Sequence, residues 1–172
     1  KIFQSIYYKN LKSLLENQRL HAEMQRQGIR IVLGVHHALA GQLNKSQFLS
    51  ENIQLADSAE ISNWICTSSL LITDYSSIAF DFLFLNKPVI YYRLDDGDRS
   101  LDKEDQKDFL SAKIHDSEIP NVFYNEYDCI NKVIEYIRRD FKPLDAEREA
   151  SNSFFYQRSD IREKLVKEIE KL

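Results

Sequence analysis

Between Leu70 and Tyr92 the chain reads LLITDYSSIAFDFLFLNKPVIYY. Two apolar runs, Leu70–Thr73 and Val89–Leu94, bracket a stretch of helical length, Ser77–Leu85, with polar residues gathered at its start and Lys87-Pro88 at its close. A strand that shows one face to water alternates apolar and polar residues, whereas a strand covered on both faces has no need to. Runs of this kind joined through a helix restrict the chain to βαβ units, with a parallel sheet covered by helices on both faces.

The remaining sequence fits that frame. From about Lys9 to Gln27, Leu11, Leu14, Leu15 and Leu20 recur near helical spacing, and Gly28 stands where a C-cap glycine belongs. Ile29–Val35 reads as a short strand that ends at His36-His37. A short helix around Ser46–Ser50 and a brief strand NIQLA follow. Ser58 reads as the N-cap of a helix with Ile61, Trp64 and Ile65 on one face. Asp95–Asp108 is a charged run and reads as a solvated surface loop. EYDCINKVIEYIRRD is an amphipathic helix with Arg138 and Arg139 where cations suit a helix C-terminus. SDIREKLVKEIEKL reads as a capped helix with Ile161, Leu165 and Ile169 in line. No boundary divides the chain, so a single domain over residues 1–172 is expected.

Composition removes several classes of function. A net charge of −4 lacks the basic footprint of a nucleic-acid binder, so a bound anion must be held by local geometry. Cys66 and Cys129 lie far apart with no CxxC, which fits a reducing cytoplasm and two small core residues. Four scattered histidines without carboxylate spacing argue against a structural zinc site. His21 and His115 read as surface residues. No run approaches the roughly 18 apolar residues of a membrane span, and the first residues lack the design of a signal peptide. Beginning at Lys1, the chain reads as a piece of a longer protein.

In open α/β sheets ligands sit beyond the carboxyl ends of the strands. Three groups fall there: His36-His37, the hinge Asp74-Tyr75-Ser76-Ser77, and Arg93 with Asp95. The first turn of a helix offers unpaired N–H groups and partial positive charge, which suit a phosphate, and serine hydroxyls add donors without bulk. Asp81, four residues after Ser77, shares its helix face and suits sugar or polyol hydroxyls. A structural reading stands beside this one: a serine as N-cap, Asp74 as turn former, Asp81 as the solvent side of the helix. Neither GxGxxG nor GxxxxGK[ST] is present.

The same segment resembles the signature of the CDP-glycerol glycerophosphotransferase family, the teichoic-acid polymerases and primases of bacterial envelopes. Ile72, Thr73, Asp74, Tyr75, Ser76, Ser77, Phe80, Asp81, Lys87 and Pro88 match that pattern in order and without a gap. IVLGVHHAL places His36 at the family's histidine, with His37 where proline is usual. IPNVFYNEYDCINKVI is similar to the segment before the family's penultimate helix. The chain departs from the pattern at Arg99, which lacks the usual glycine and aromatic after it, and at Ser159-Asp160, which replace an Asp-Gly pair.

The resemblance implies a Rossmann-like lobe of a GT-B architecture, the C-terminal lobe that binds a nucleotide-activated donor. The implied reaction moves glycerol phosphate or ribitol phosphate from its CDP donor to a hydroxyl of a polymer or lipid-linked primer, with release of CMP. The isolated chain, without the acceptor lobe, is expected to be inactive. In that frame Ser76 and Ser77 hold the donor diphosphate, Asp81 orients polyol or ribose hydroxyls, and His36 is the catalytic residue at the phosphate. Thr73, Asp74 and Arg93 give support. Tyr75 and Trp64 read as packing residues, and Lys87 as the polar edge of a turn. Mg²⁺ on the diphosphate would need few protein ligands, so metal dependence is open. The implied location is the cytoplasm, at the inner face of the membrane if the acceptor is lipid-linked. Two other readings remain at this point: a GT-B glycosyltransferase lobe using a nucleotide sugar, and a degenerate module without catalysis.

Overall fold

The computed structural model describes residues 4–34, 52–94 and 121–153. In chain order its elements are α1 (Ile6–Leu15), α2 (Gln18–Gln27), β1 (Ile31–Leu33), β2 (Ile53–Leu55), a 3-10 turn (Ser58–Glu60) and α3 (Ile61–Thr67). These are followed by β3 (Leu71–Thr73), α4 (Ile78–Phe84), β4 (Val89–Tyr92), β5 (Val122–Phe123), α5 (Glu126–Arg138) and α6 (Asp145–Ser153). Every strand pairing among the described residues is parallel. β1 pairs with β2, and β4 lies between β3 and β5.

All four residues of β4 are buried, which accounts for the unbroken apolar run. Ile90 and Tyr92, with Leu94 beyond the strand, enter a core with Leu14 of α1, Leu20 and Met24 of α2, and Ile130, Val133 and Ile134 of α5. Val89 and Tyr91 face the other way, onto Ala79, Phe82 and Leu83 of α4, with Ile65 of α3 at the edge. Helices therefore cover both faces of the β3-β4-β5 sheet, as the sequence requires. Each such aliphatic side chain contributes roughly 1.5–3 kcal/mol by leaving water. A smaller cluster of Leu15, Leu33 and Ile53 seats β1 and β2 against α1.

The expected helix over 9–27 is two helices. The Asn17 side chain accepts the amides of Arg19 and Leu20 and starts α2 anew. Its Nδ2 also donates to Glu126 Oε1 at 2.8 Å, which pins the corner to α5. His21 is half-buried rather than a surface residue, with Nε2 2.6 Å from the Leu15 carbonyl oxygen. Gly28 closes α2 at φ 64°, a left-handed conformation that glycine adopts without strain. Asp57, not Ser58, is the cap further on: its carboxylate accepts the Ala59 amide at 3.0 Å. The 3-10 turn after it delays α3 to Ile61, and no α3 residue is fully buried.

The core assignment of the cysteines holds for Cys129 alone, since Cys66 is exposed. Burial, reinforced by the Glu126 charge, pushes the Cys129 thiol up to about 12, so it stays protonated and inert. α6 was not foreseen, because DAEREASNS has no apolar stripe. Polar contacts hold it instead. Lys132 Nζ lies 2.9 Å from Glu147 Oε1, and the Leu144 amide donates to Glu147 Oε2 at 2.7 Å. The expected short helix at 46–50, the charged loop at 95–108 and the helix after residue 159 lie outside the described residues.

Glu147 gives this corner a pH dependence. Burial alone would raise its pKa, but hydrogen bonds from Lys132, the Leu144 amide and Tyr136, with the Lys132 charge, hold it below 4.5. A carboxyl depressed in the folded state stabilises above its unfolded pKa, and that stability is lost as pH falls through the folded value. Hydrogen-exchange protection of the α6 amides should therefore be full at neutral pH and decline as pH drops below about 4.5. In Glu147→Gln the protection should be lower at neutral pH and nearly flat with pH. An equal decline in the variant would show that Glu147 is not the responsible group.

Candidate functional site

β3, β4 and β5 end side by side, so the residues that follow them share one rim of the sheet. After β3 the chain turns through Asp74–Ser77 into α4. Asp74 Oδ1 accepts the Tyr75 amide at 2.7 Å, and Ser76 Oγ accepts the Ile78 amide at 3.3 Å. The Ser76 and Ser77 carbonyls accept from Ala79 and Phe80 at 3.2 and 3.0 Å, which winds the first turn in 3-10 fashion. Asp74 and Ser76 thus serve local structure, as the structural reading of the turn expected.

Ser77 behaves differently. It occupies the N-cap position at φ −65° and ψ −18°, yet its side chain makes no capping hydrogen bond. Its residue is exposed, and so is Asp81 one turn later on the same face. No acceptor among the described residues takes the Ser76 or Ser77 amide. α4 has only seven residues, so its dipole alone is a weak anchor, and hydrogen-bond donors must do most of the holding.

Arg93, just past β4 and one of the groups expected at the strand ends, ties the hinge to the neighbouring strand. It is 6% exposed, and its Nη1 donates to the Asp74 carbonyl oxygen. Its guanidinium carbon lies 4.2 Å from the Tyr75 ring centroid and 5.7 Å from that of Tyr91. One planar guanidinium therefore clamps the start of the hinge from the neighbouring strand. Tyr75 packs at the rim of the sheet: the residue is 42% exposed and its ring lies against Arg93. Burial pushes the Tyr91 phenol up to about 12, although Arg93 pulls the other way. That phenol is protonated at neutral pH and is no general base.

Thr73 ends β3 half-buried, paired with Tyr91. Trp64 is half-buried on α3. Lys87 Nζ donates to the Ile65 and Cys66 carbonyls at 2.8 and 2.5 Å, closing the C-terminus of α3. Its role is structural. His36, His37 and Asp95 lie outside the described residues. Of the three groups expected at strand ends, the hinge and Arg93 are thus seen together. Among the described residues, no cluster of three or more His, Cys, Asp or Glu side chains is placed to hold a metal ion. No helix among them is long and apolar enough to cross a membrane.

Comparison with known proteins adds an independent line. A family model described as CDP-Glycerol:Poly(glycerophosphate) glycerophosphotransferase matches residues 3–171. The chain is 26% identical over 156 residues to the minor teichoic acid biosynthesis protein GgaB of Bacillus subtilis (strain 168), covering 90% of this chain and 16% of that protein. It is 26% identical over 164 residues to a teichoic acid poly(ribitol-phosphate) polymerase of Bacillus spizizenii, covering 90% and 26%. A shorter stretch of 62 residues is 31% identical to a teichoic acid poly(glycerol phosphate) polymerase of the same species, covering 36% and 16%. The aligned stretches span no more than about a quarter of the length of these relatives. No solved structure matches the chain significantly.

Proposed function

The chain belongs to the CDP-glycerol:poly(glycerophosphate) glycerophosphotransferase family, and on that premise we propose that it is the donor-binding lobe of a polyol-phosphate transferase. The donor is CDP-glycerol or CDP-ribitol, and glycerol or ribitol phosphate passes to an acceptor hydroxyl with release of CMP. The lobe is one half of a GT-B architecture, and the acceptor, a lipid-linked primer or growing polymer at the cytoplasmic face of the membrane, is presented by the other half. The isolated chain binds donor without turnover.

One observation carries this reading. Within the segment that matches the family signature, no acceptor among the described residues takes the Ser76 or Ser77 amide, the Ser77 hydroxyl makes no capping hydrogen bond, and Ser77 and Asp81 are exposed on the same helix face. The amides and hydroxyl suit diphosphate oxygens, while the Asp81 carboxylate suits polyol or ribose hydroxyls. Arg93 and Asp74 fix the turn that carries them. In phosphoryl transfer the protein chiefly positions the groups and neutralises charge on the phosphoryl oxygens. The attacking alcohol must also lose a proton, which passes to a base presented with the acceptor by the other half. His36 meets the phosphate as cation or proton donor, since its type of side chain reaches either state near neutral pH.

The nucleotide is tested by calorimetric titration of the chain with CDP-glycerol and with UDP-glucose. Preferential binding of CDP-glycerol is expected. Preference for UDP-glucose would identify a sugar-transferring lobe instead, and failure of both to bind would identify a degenerate module.

A further inference from the structure

Arg93 holds the hinge from β4, so whatever holds Arg93 reaches the hinge as well. Its amide donates to the Phe123 carbonyl at 2.9 Å, and on that side the ladder ends, since Tyr92 and Phe123 are the last paired residues. On the other side the pairing of β3 stops at Thr73 and Tyr91, where the chain turns into the hinge. The Leu94 carbonyl therefore lies beyond both ladders, in a residue that is itself buried. A buried carbonyl takes its hydrogen bond from elsewhere when no strand supplies one. Here α1 supplies it. Asn10 Nδ2 donates to the Leu94 carbonyl oxygen at 2.7 Å, between positions 84 apart in sequence.

Packing already brings these segments together, because Tyr92 and Leu94 share a core with Leu14 of α1. Apolar contact is non-directional, however, and sets how near the strand exit lies to α1 without setting how its peptide is turned. The Asn10 hydrogen bond has a direction and fixes that turn. Arg93 is thus held twice along the backbone, by β5 at its own amide and by α1 through the next residue. Its side chain leaves on the Tyr91 side, donates to the Asp74 carbonyl and lies against the Tyr75 ring. A continuous line of contacts runs from α1 through Leu94 and Arg93 to the start of the hinge.

We propose that Asn10 is a positioning residue for the donor site: by holding the Leu94 peptide it sets Arg93, and through Arg93 the turn that presents Ser76 and Ser77. This rests on the diphosphate reading of the hinge, and the test separates the two. Four forms of the chain are compared, labelled with ¹³C at the carbonyls: wild type, Asn10→Ala, Asn10→Asp and Ser5→Ala. Asn10→Asp keeps the shape but has no N–H to give at neutral pH. Ser5 caps the same helix, its Oγ accepting the Tyr8 amide at 3.1 Å, so Ser5→Ala weakens α1 while leaving the Leu94 bond in place. Measurements are made well below the lowest melting temperature of the four.

Without ligand, the Asp74 carbonyl carbon should move upfield in both Asn10 variants, as the hydrogen bond from Arg93 loosens, and keep its wild-type position in Ser5→Ala. CDP-glycerol should bind both Asn10 variants about tenfold more weakly than wild type, since a binding constellation tolerates little misplacement, and should bind Ser5→Ala as it binds wild type. An unmoved Asp74 resonance, wild-type affinity in either Asn10 variant, or an equal change in Ser5→Ala would overturn the positioning role and leave the hinge reading intact. Failure of both Asn10 variants to fold would make the bond a condition of the fold and overturn that role too. Absence of CDP-glycerol binding by wild type would overturn the hinge reading, and the Asp74 resonance would still decide whether Asn10 sets Arg93.

Discussion

Arg93→Ala is expected to lower the free energy of unfolding by about 3 kcal/mol, from the loss of a hydrogen bond to a charged donor and of a desolvated cation–π contact. The guanidinium is buried and holds the Asp74 carbonyl and the Tyr75 ring at once, so truncation leaves a carbonyl without that donor and a gap at the sheet rim. A domain of this size has a total stability of roughly 5–15 kcal/mol, so the loss is a large share. Donor binding should fall with it, because the same contacts fix the turn that presents Ser76 and Ser77. Arg93→Lys keeps the charge but is not planar, and cannot make the hydrogen bond and the ring contact together. It should fall between wild type and alanine. Urea melts of the three proteins check this, and an Arg93→Ala midpoint equal to that of wild type would remove Arg93 from its structural role.

The second large effect separates binding from folding. Ser77 and Asp81 are exposed, and Ser77 makes no capping bond. Replacing both by alanine should change stability by no more than about 0.5 kcal/mol, the usual range for such surface sites. Donor affinity should respond strongly. Each group offers a charge-assisted hydrogen bond, to a diphosphate oxygen or from a polyol hydroxyl, worth roughly 1.5–3 kcal/mol. Together they contribute about 3 kcal/mol or more, so the dissociation constant for CDP-glycerol should rise about 100-fold or beyond. The contrast with Arg93 is informative, since Arg93→Ala loses stability and affinity together, whereas this double variant loses affinity alone.

The layered architecture was legible because β4 announces itself. Four consecutive residues buried on both faces leave a run that no half-exposed strand or amphipathic helix needs. The hinge was legible for a related reason: Asp74 and two serines between a strand and a helix are turn and cap chemistry before they are anything else. Asp74 and Ser76 prove to be used in that way, and Ser77 does not. Only coordinates could distinguish them, because a serine's partner depends on a backbone geometry that neighbouring letters do not encode.

Other features were hidden because they arise between distant segments. The break at Asn17 looks like a polar position within a longer helix until its side chain is seen holding Glu126, 109 residues away. Asp57 outcompetes Ser58 as a cap by one residue, a distinction finer than periodicity resolves. α6 depends on Glu147 meeting Lys132 rather than on an apolar stripe. Arg93 gave one signal, a cation closing a strand buried on both faces, yet its contacts with Asp74 and Tyr75 follow from strand register and not from sequence spacing.

The most direct test is a titration of the ¹⁵N-labelled 172-residue chain with CDP-glycerol, following the amide resonances of Ser76 and Ser77 in wild type and in the Ser77→Ala/Asp81→Ala variant. Saturable downfield shifts centred on those two amides in wild type, with about 100-fold weaker saturation in the variant, are predicted. Saturation that leaves both amides unmoved, or that is equal in the two proteins, would place the diphosphate elsewhere.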